Sequence, residues 1–158
     1  RLIDVVVAYT DVRGALGQAM ITQKWAQWMG PNPTQKVALV LGPVQSVTAV
    51  KYYDVDGALQ TDTLTNYQTF GTDFTSTVGP KDGFSWPVTQ NRSDAIRIEY
   101  EIGFGGAITD VPQSIRHALM LLVGHWYDNR EQSQADKLQD IPYGFEELMS
   151  TERASYYG

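Results

Sequence analysis

The residues of this chain that are capable of chemistry are few, and their spacing suits little of it. His117 and His125 are its two histidines, eight residues apart. A helical metal pair needs a spacing near four and a third ligand, and the sequence offers neither. Asp54-Val-Asp-Gly57 opens like a calcium loop, but the position where an acid should close the loop holds Thr65. Asp56-Gly57 is instead a strong signal for a hairpin turn. Glu99 and Glu101 could flank a groove as a glycosidase pair does, but they stand beside Arg97 on one face of a strand pattern, which favours a salt-linked surface. Trp25, Trp28 and Trp86 could stack against a sugar, although aromatics more often anchor cores and interfaces. Neither a Gly-x-Ser-x-Gly elbow nor a phosphate-binding Gly-x-x-x-x-Gly-Lys loop occurs. The expectation is a protein that is not an enzyme, with no catalytic residue, metal or cofactor.

Composition narrows the class further. The chain has 158 residues, 42% of them hydrophobic and 19% charged, which suits one folded domain with its own core. It has no cysteine, so disulfides and thiolate chemistry are excluded, and assembly in a reducing compartment is compatible with the sequence. Twelve Lys and Arg against eighteen Asp and Glu give a net charge of -6, the wrong sign for gripping a phosphate backbone. A surface that DNA must slide past is a different matter, since an acidic or neutral wall does not retard it. No stretch reaches the length of a membrane span, and no leader pattern opens the chain. Arg1 in place of Met leaves open a segment that precedes it.

The elements that would position these residues can be read from periodicity. Residues 2–14 are ambiguous, and a short helix is the reading preferred here. Signals from 19 to 64 are mostly extended: Trp25 and Trp28 in one run, a Pro31-Asn-Pro33 turn, the apolar run 37–41, and a β-rich run 44–53 that turns at Asp56-Gly57. Residues 66–91 are rich in Gly and Pro and predict a long loop with one or two short strands near 67–74. Residues 95–102 are the clearest strand, because Ile96, Ile98, Tyr100 and Ile102 alternate with Arg97, Glu99 and Glu101.

The long helix is predicted over 110–131. Asp110 is read as its N-cap, Gln113 as the capping-box partner, and Pro112 as tolerated in the first turn. Ile115, Leu119, Leu122, Val123 and Trp126 then fall on one helical face, widened by Ala118 and Leu121. Only a stripe through Gln113, His117, Gly124, Asp128 and Glu131 stays polar or small, so the helix should pack on more than one side. Residues 132–139 read as a polar loop and 145–151 as a brief terminal helix. The fold class is therefore α+β: an N-terminal helix, a twisted antiparallel β-sheet, the long helix, and an extended or short helical tail. Residues 1–140 form the domain and 141–158 the tail.

Four blocks in order carry a resemblance: Ala19-Met-Ile-Thr-Gln-Lys-Trp25; Gly42-Pro-Val-Gln-Ser-Val-Thr-Ala-Val-Lys-Tyr-Tyr-Asp-Val-Asp-Gly57; the strand from Ile98 leading into Asp110-Val-Pro-Gln-Ser-Ile-Arg-His-Ala-Leu-Met-Leu-Leu-Val-Gly-His-Trp-Tyr-Asp-Asn-Arg-Glu131; and Ile141-Pro-Tyr-Gly-Phe-Glu-Glu-Leu148. Together they resemble the head-tail connector proteins of long-tailed bacteriophages and phage-derived gene transfer agents, also called adaptor or head-completion proteins. The chain departs from that pattern by starting inside the family's opening helical segment and by running on past the usual end through Tyr156 and Tyr157.

The resemblance implies a virion protein of the head-tail neck, assembled in the host cytoplasm. It implies a ring of about a dozen copies under the portal, whose closed cyclic symmetry needs two different sticky faces on each subunit. Its partners would be the portal, neighbouring copies and a tail-side stopper or terminator. Double-stranded DNA would pass through the channel without sequence-specific binding. The family's C-terminal segment reaches back to the portal, which makes Tyr143, Phe145, Leu148, Met149, Tyr156 and Tyr157 candidate portal or neighbour contacts; the alternative is that the apolar tail caps the chain's own core. Ile115, Leu119, Leu122 and Trp126 are candidates for ring packing. Two other functions remain open at this point: a carbohydrate-binding or hydrolytic module using the Trp and carboxylate supply, and a tail-completion or stopper protein at another level of the neck.

Overall fold

A computed structural model of the chain describes residues 17–33, 36–71, 76–128 and 144–151. The helix expected over 2–14 and the loop expected over 132–139 lie outside these residues, as do Tyr143, Tyr156, Tyr157 and the side chain of Trp126.

Seven strands run in chain order: β1 (Gln23–Met29), β2 (Val37–Ala38), β3 (Val44–Tyr53), β4 (Leu59–Asp62), β5 (Tyr67–Phe70), β6 (Thr77–Pro80) and β7 (Ile96–Ile102). Two helices follow, α1 (Gln113–Asp128) and α2 (Phe145–Thr151). The strands form two open antiparallel sheets, one ordered β1-β7-β3-β4 and the other β2-β6-β5. The architecture is α+β, as the sequence predicted, with two sheets where one was expected. Strand β6 was not anticipated, because Gly79 and Pro80 within it are residues that normally argue against a strand. Pro80 is tolerated because β6 ends there, opposite Tyr67.

The strand β7 is central to the larger sheet, between β1 and β3. Its even-numbered residues are buried and its odd-numbered ones half-buried, so the alternation read from the sequence is the alternation of burial. The apolar face of β7 meets Val50 and Ala19, and also Leu39, Tyr67 and Val78 near or within the smaller sheet, so both sheets contribute to one core. At the end of β3 next to the helices, the register skips Gln45 and then Thr48. These bulges bend the strand and re-aim side chains. Gln45 Nε2 donates to the Gly103 carbonyl at 2.6 Å and to Thr22 Oγ1 at 2.9 Å, tying the chain before β1 to the end of β7.

A second core lies around α1. Ile115, Ala118 and Leu122 are fully buried with Val111 against Phe145 and Met149 of α2. Met20, Phe104, Leu119 and Leu148 pack at its edge. The short tail helix is therefore formed as expected, and its i, i+4 pair Phe145 and Met149 faces inward.

Candidate functional site

The helix α1 begins later than its caps suggested. Residues Ile108–Asp110 form a separate 3-10 turn, and Asp110 Oδ2 accepts from the Ala107 N–H at 2.9 Å. Asp110 thus serves the turn before the helix. The first α-helical bond runs from the Arg116 N–H to the Pro112 carbonyl at 3.1 Å, with the proline at the boundary where its missing donor costs nothing. Ile108, in that turn, is 71% exposed.

The two faces of α1 then separate cleanly. Ile115, Ala118 and Leu122 point to α2. Met120, Val123 and Tyr127 recur at spacings of three and four, which at about 100° per residue centres them roughly 140° round the helix from that face; Val123, grouped from sequence with Ile115 and Leu122, belongs to this stripe instead. Met120 is 69% exposed, Tyr127 64% and Val123 50%. With Met20, Ile21 and Ile108 this stripe lines an open groove of about 930 Å³. Gln113, His117 and Gly124 of the polar stripe lie along the same groove, and its two formally charged lining residues are Arg116 and Asp128. A smaller depression on the neighbouring side of α1 includes Leu121, His125 and Leu148.

The candidate contact residues fall into distinct places. Ile115 and Leu122, proposed from sequence for ring packing, are fully buried inside the chain, while Leu119 is half-buried. Phe145 and Met149, proposed as portal contacts, are likewise buried against α1, and Leu148 is half-buried at the edge. Helical spacing could not separate these roles, because it fixes which residues share a face but not what covers that face. Ile108, Met120 and Tyr127, which the sequence did not single out, line the groove. The sequence showed the breadth of the apolar surface on α1 and predicted packing on more than one side; among the described residues one face is packed, and Met120, Val123 and Tyr127 are exposed.

The residues considered for chemistry are not brought together. Asp54 Oδ1 accepts from the N–H groups of Asp56 at 3.1 Å and Ala58 at 2.9 Å, and Oδ2 accepts from Gln60 Nε2 at 2.8 Å. These bonds, led by the one from Gln60, hold its carboxyl below the usual range, and they commit it to the β3–β4 hairpin turn. Gly57 in that turn has φ 84°. Glu99 lies 2.9 Å from Lys51 Nζ and 2.6 Å from Arg97 Nη2. Its hydrogen bond from Lys51, then the nearby Arg97 charge, keep it below the ordinary carboxylate range. Glu101 pairs with Lys24 at 3.8 Å. The strand's solvated face is the salt-linked surface that the sequence favoured.

The tryptophans diverge. Trp25 pairs across from the buried Tyr100 and packs on the core, whereas Trp28 sits across from Arg97, whose guanidinium lies 5.0 Å from its ring centre. Trp86 tilts against Tyr67 at 5.1 Å. They share no platform. His117 is near Gln113, at 3.3 Å between Nε2 atoms, and His125 is about two turns further along α1. Among the described residues no group of three or more His, Asp or Glu could hold a metal ion.

Comparison with known proteins finds no matching family model and no matching curated protein. Solved structures do match. A chain in the neck of an empty gene transfer agent particle computed with C6 symmetry superposes with a TM-score of 0.73 at 19% identity, covering 99% of this chain and 78% of that one. A chain in the neck of the native particle computed with C12 symmetry gives 0.68 at 17% identity, covering 99% and 80%. One in the virion of the native particle gives 0.69 at 19% identity, covering 99% and 75%. Over almost its whole length, therefore, this chain has the fold of chains found in the necks of gene transfer agent particles.

Proposed function

We propose that this chain is a structural virion protein of the head-tail neck, a connector that forms a ring under the portal, joins the capsid to the tail and extends the DNA channel. The observation that carries the reading is the fold likeness across 99% of the chain to neck components, in particles computed with C6 and C12 symmetry. Those symmetries support a cyclic arrangement of copies. The scattered positions of the Trp, Glu and His residues support a non-enzymatic role. The net charge of -6 fits a wall that DNA passes without being held. The proposed partners are the portal, neighbouring copies and a tail-side stopper or terminator. Since Phe145 and Met149 are taken up by the chain's own core, portal attachment in this reading falls to Leu148, Tyr143, Tyr156 and Tyr157.

The test is native mass measurement and imaging of the chain with and without the portal of its own particle. A cyclic assembly seated on the portal is expected. A lasting monomer that binds glycans and ignores the portal would overturn the reading, and density at a lower level of the neck would reassign the chain as a stopper or tail-completion protein.

A further inference from the structure

We infer that Asp82-Gly83 is a site of spontaneous covalent modification, at which the Asp82 carboxyl cyclises onto the Gly83 amide and reopens as isoaspartate; the inference does not depend on the neck reading. The chain contains two Asp-Gly pairs, Asp56-Gly57 and Asp82-Gly83. Glycine is what makes such a pair reactive, because no β-carbon shields its backbone nitrogen from the preceding carboxyl. Local sequence does not rank the two pairs, and the fold does.

At the β3–β4 hairpin the nucleophile is tied down. The Gly57 N–H donates to the Asp54 carbonyl at 3.0 Å, and the Asp56 and Ala58 N–H groups on either side donate to the Asp54 carboxylate. Attack by the Gly57 nitrogen must break its own bond and twist a turn that its neighbours hold. Around Asp82 the restraint is lighter. The Phe84 N–H donates to the Lys81 carbonyl at 3.0 Å, and with Gly83 at φ 84° this is a type II turn. Among the described residues no hydrogen bond or ion pair engages the Asp82 carboxylate or the Gly83 N–H. Both residues are exposed, and a β-carbon on Gly83 would meet nothing within 4 Å, so the ring has room to form.

The step balances with water as the only other reactant. The Gly83 nitrogen bonds to the Asp82 side-chain carbonyl carbon as the carboxyl C–O bond breaks; the hydroxyl leaves with the amide proton as water, giving a succinimide. Water then adds at either carbonyl of the ring. Opening at the side-chain carbon restores aspartate, and opening at the main-chain carbon gives isoaspartate, whose backbone is longer by a carbon. The turn is anchored on both sides, by the Lys81 N–H on the Asn66 carbonyl at 2.8 Å and by Trp86 against Tyr67. The added length is therefore taken up between them, at the exposed Phe84.

The experiment incubates the full chain at neutral pH, folded and in urea, and measures isoaspartate at each site by peptide mapping with electron-transfer fragmentation. In the folded chain position 82 should convert faster than position 56 by about tenfold, the difference that one broken hydrogen bond makes to a rate. In urea the two rates should converge. Asp82→Glu, whose longer side chain closes the ring poorly, should abolish the product at 82 and leave the unfolding midpoint unchanged. Equal, slower or absent conversion at 82 in the folded chain overturns the inference, and so does the same preference for 82 in urea, which would assign it to local sequence.

Discussion

A β-carbon placed on Gly103 would lie 2.6 Å from the backbone carbonyl of Ile21, and Gly103 stands at φ 120°. The contact brings the end of β7 against the chain that enters β1, and Ile21 lines the groove. Both conditions, the close approach and the positive φ, demand glycine. Gly103→Ala is expected to destabilise the protein by about 1–3 kcal/mol or more, seen as a lower denaturation midpoint. No loss of stability would show that the junction relaxes freely.

Phe145 and Leu122 meet in the same buried cluster, so the tail helix is a structural part of the domain. Phe145→Ala should cost about 3–5 kcal/mol and Leu122→Ala about 2–5 kcal/mol, measured by urea unfolding. Near-additive small losses would mean that α2 is only loosely held.

Removing the whole tail from residue 141 would take away Phe145 and Met149, which cover the buried face of α1. Truncation after Thr151 retains Phe145 and Met149 and removes Tyr156 and Tyr157. This shorter chain is expected to keep its melting temperature and to lose portal binding; binding at full strength would place the anchor elsewhere.

Glu99 makes a directional statement about acid. Its folded carboxyl is held below the unfolded value by Lys51 and Arg97, so its contribution is present above the unfolded carboxylate range and is lost as pH falls through the folded value. Acidification from neutral pH should therefore erode stability, and Glu99→Gln should show a shallower dependence. The check is the unfolding midpoint as a function of pH for both proteins; parallel curves would deny Glu99 the role.

At the hairpin, Gly57 is held at φ 84°, and a β-carbon there meets the Gln90 side chain at an ordinary 3.6 Å. The cost of Gly57→Ala is then backbone strain alone, about 1–2 kcal/mol. Fold and oligomeric state should be unaffected, as read by circular dichroism and native mass.

The sequence alone determined those features that depend on local periodicity. The alternation of Ile96, Ile98, Tyr100 and Ile102 determined a strand and its buried face, because a period of two has one physical solution when one side is apolar. Asp54 and Gly57 determined a hairpin through their own backbone geometry. The tertiary structure decided what local signals leave degenerate. Asp110 had two backbone donors within reach, those of the coming helix and that of Ala107, and the 3-10 turn took the carboxylate. The apolar residues of α1 were all visible as such, but hydrophobicity is non-directional and does not name its cover. Only the docking of α2 made Ile115 and Leu122 core, and Met120 and Tyr127 surface.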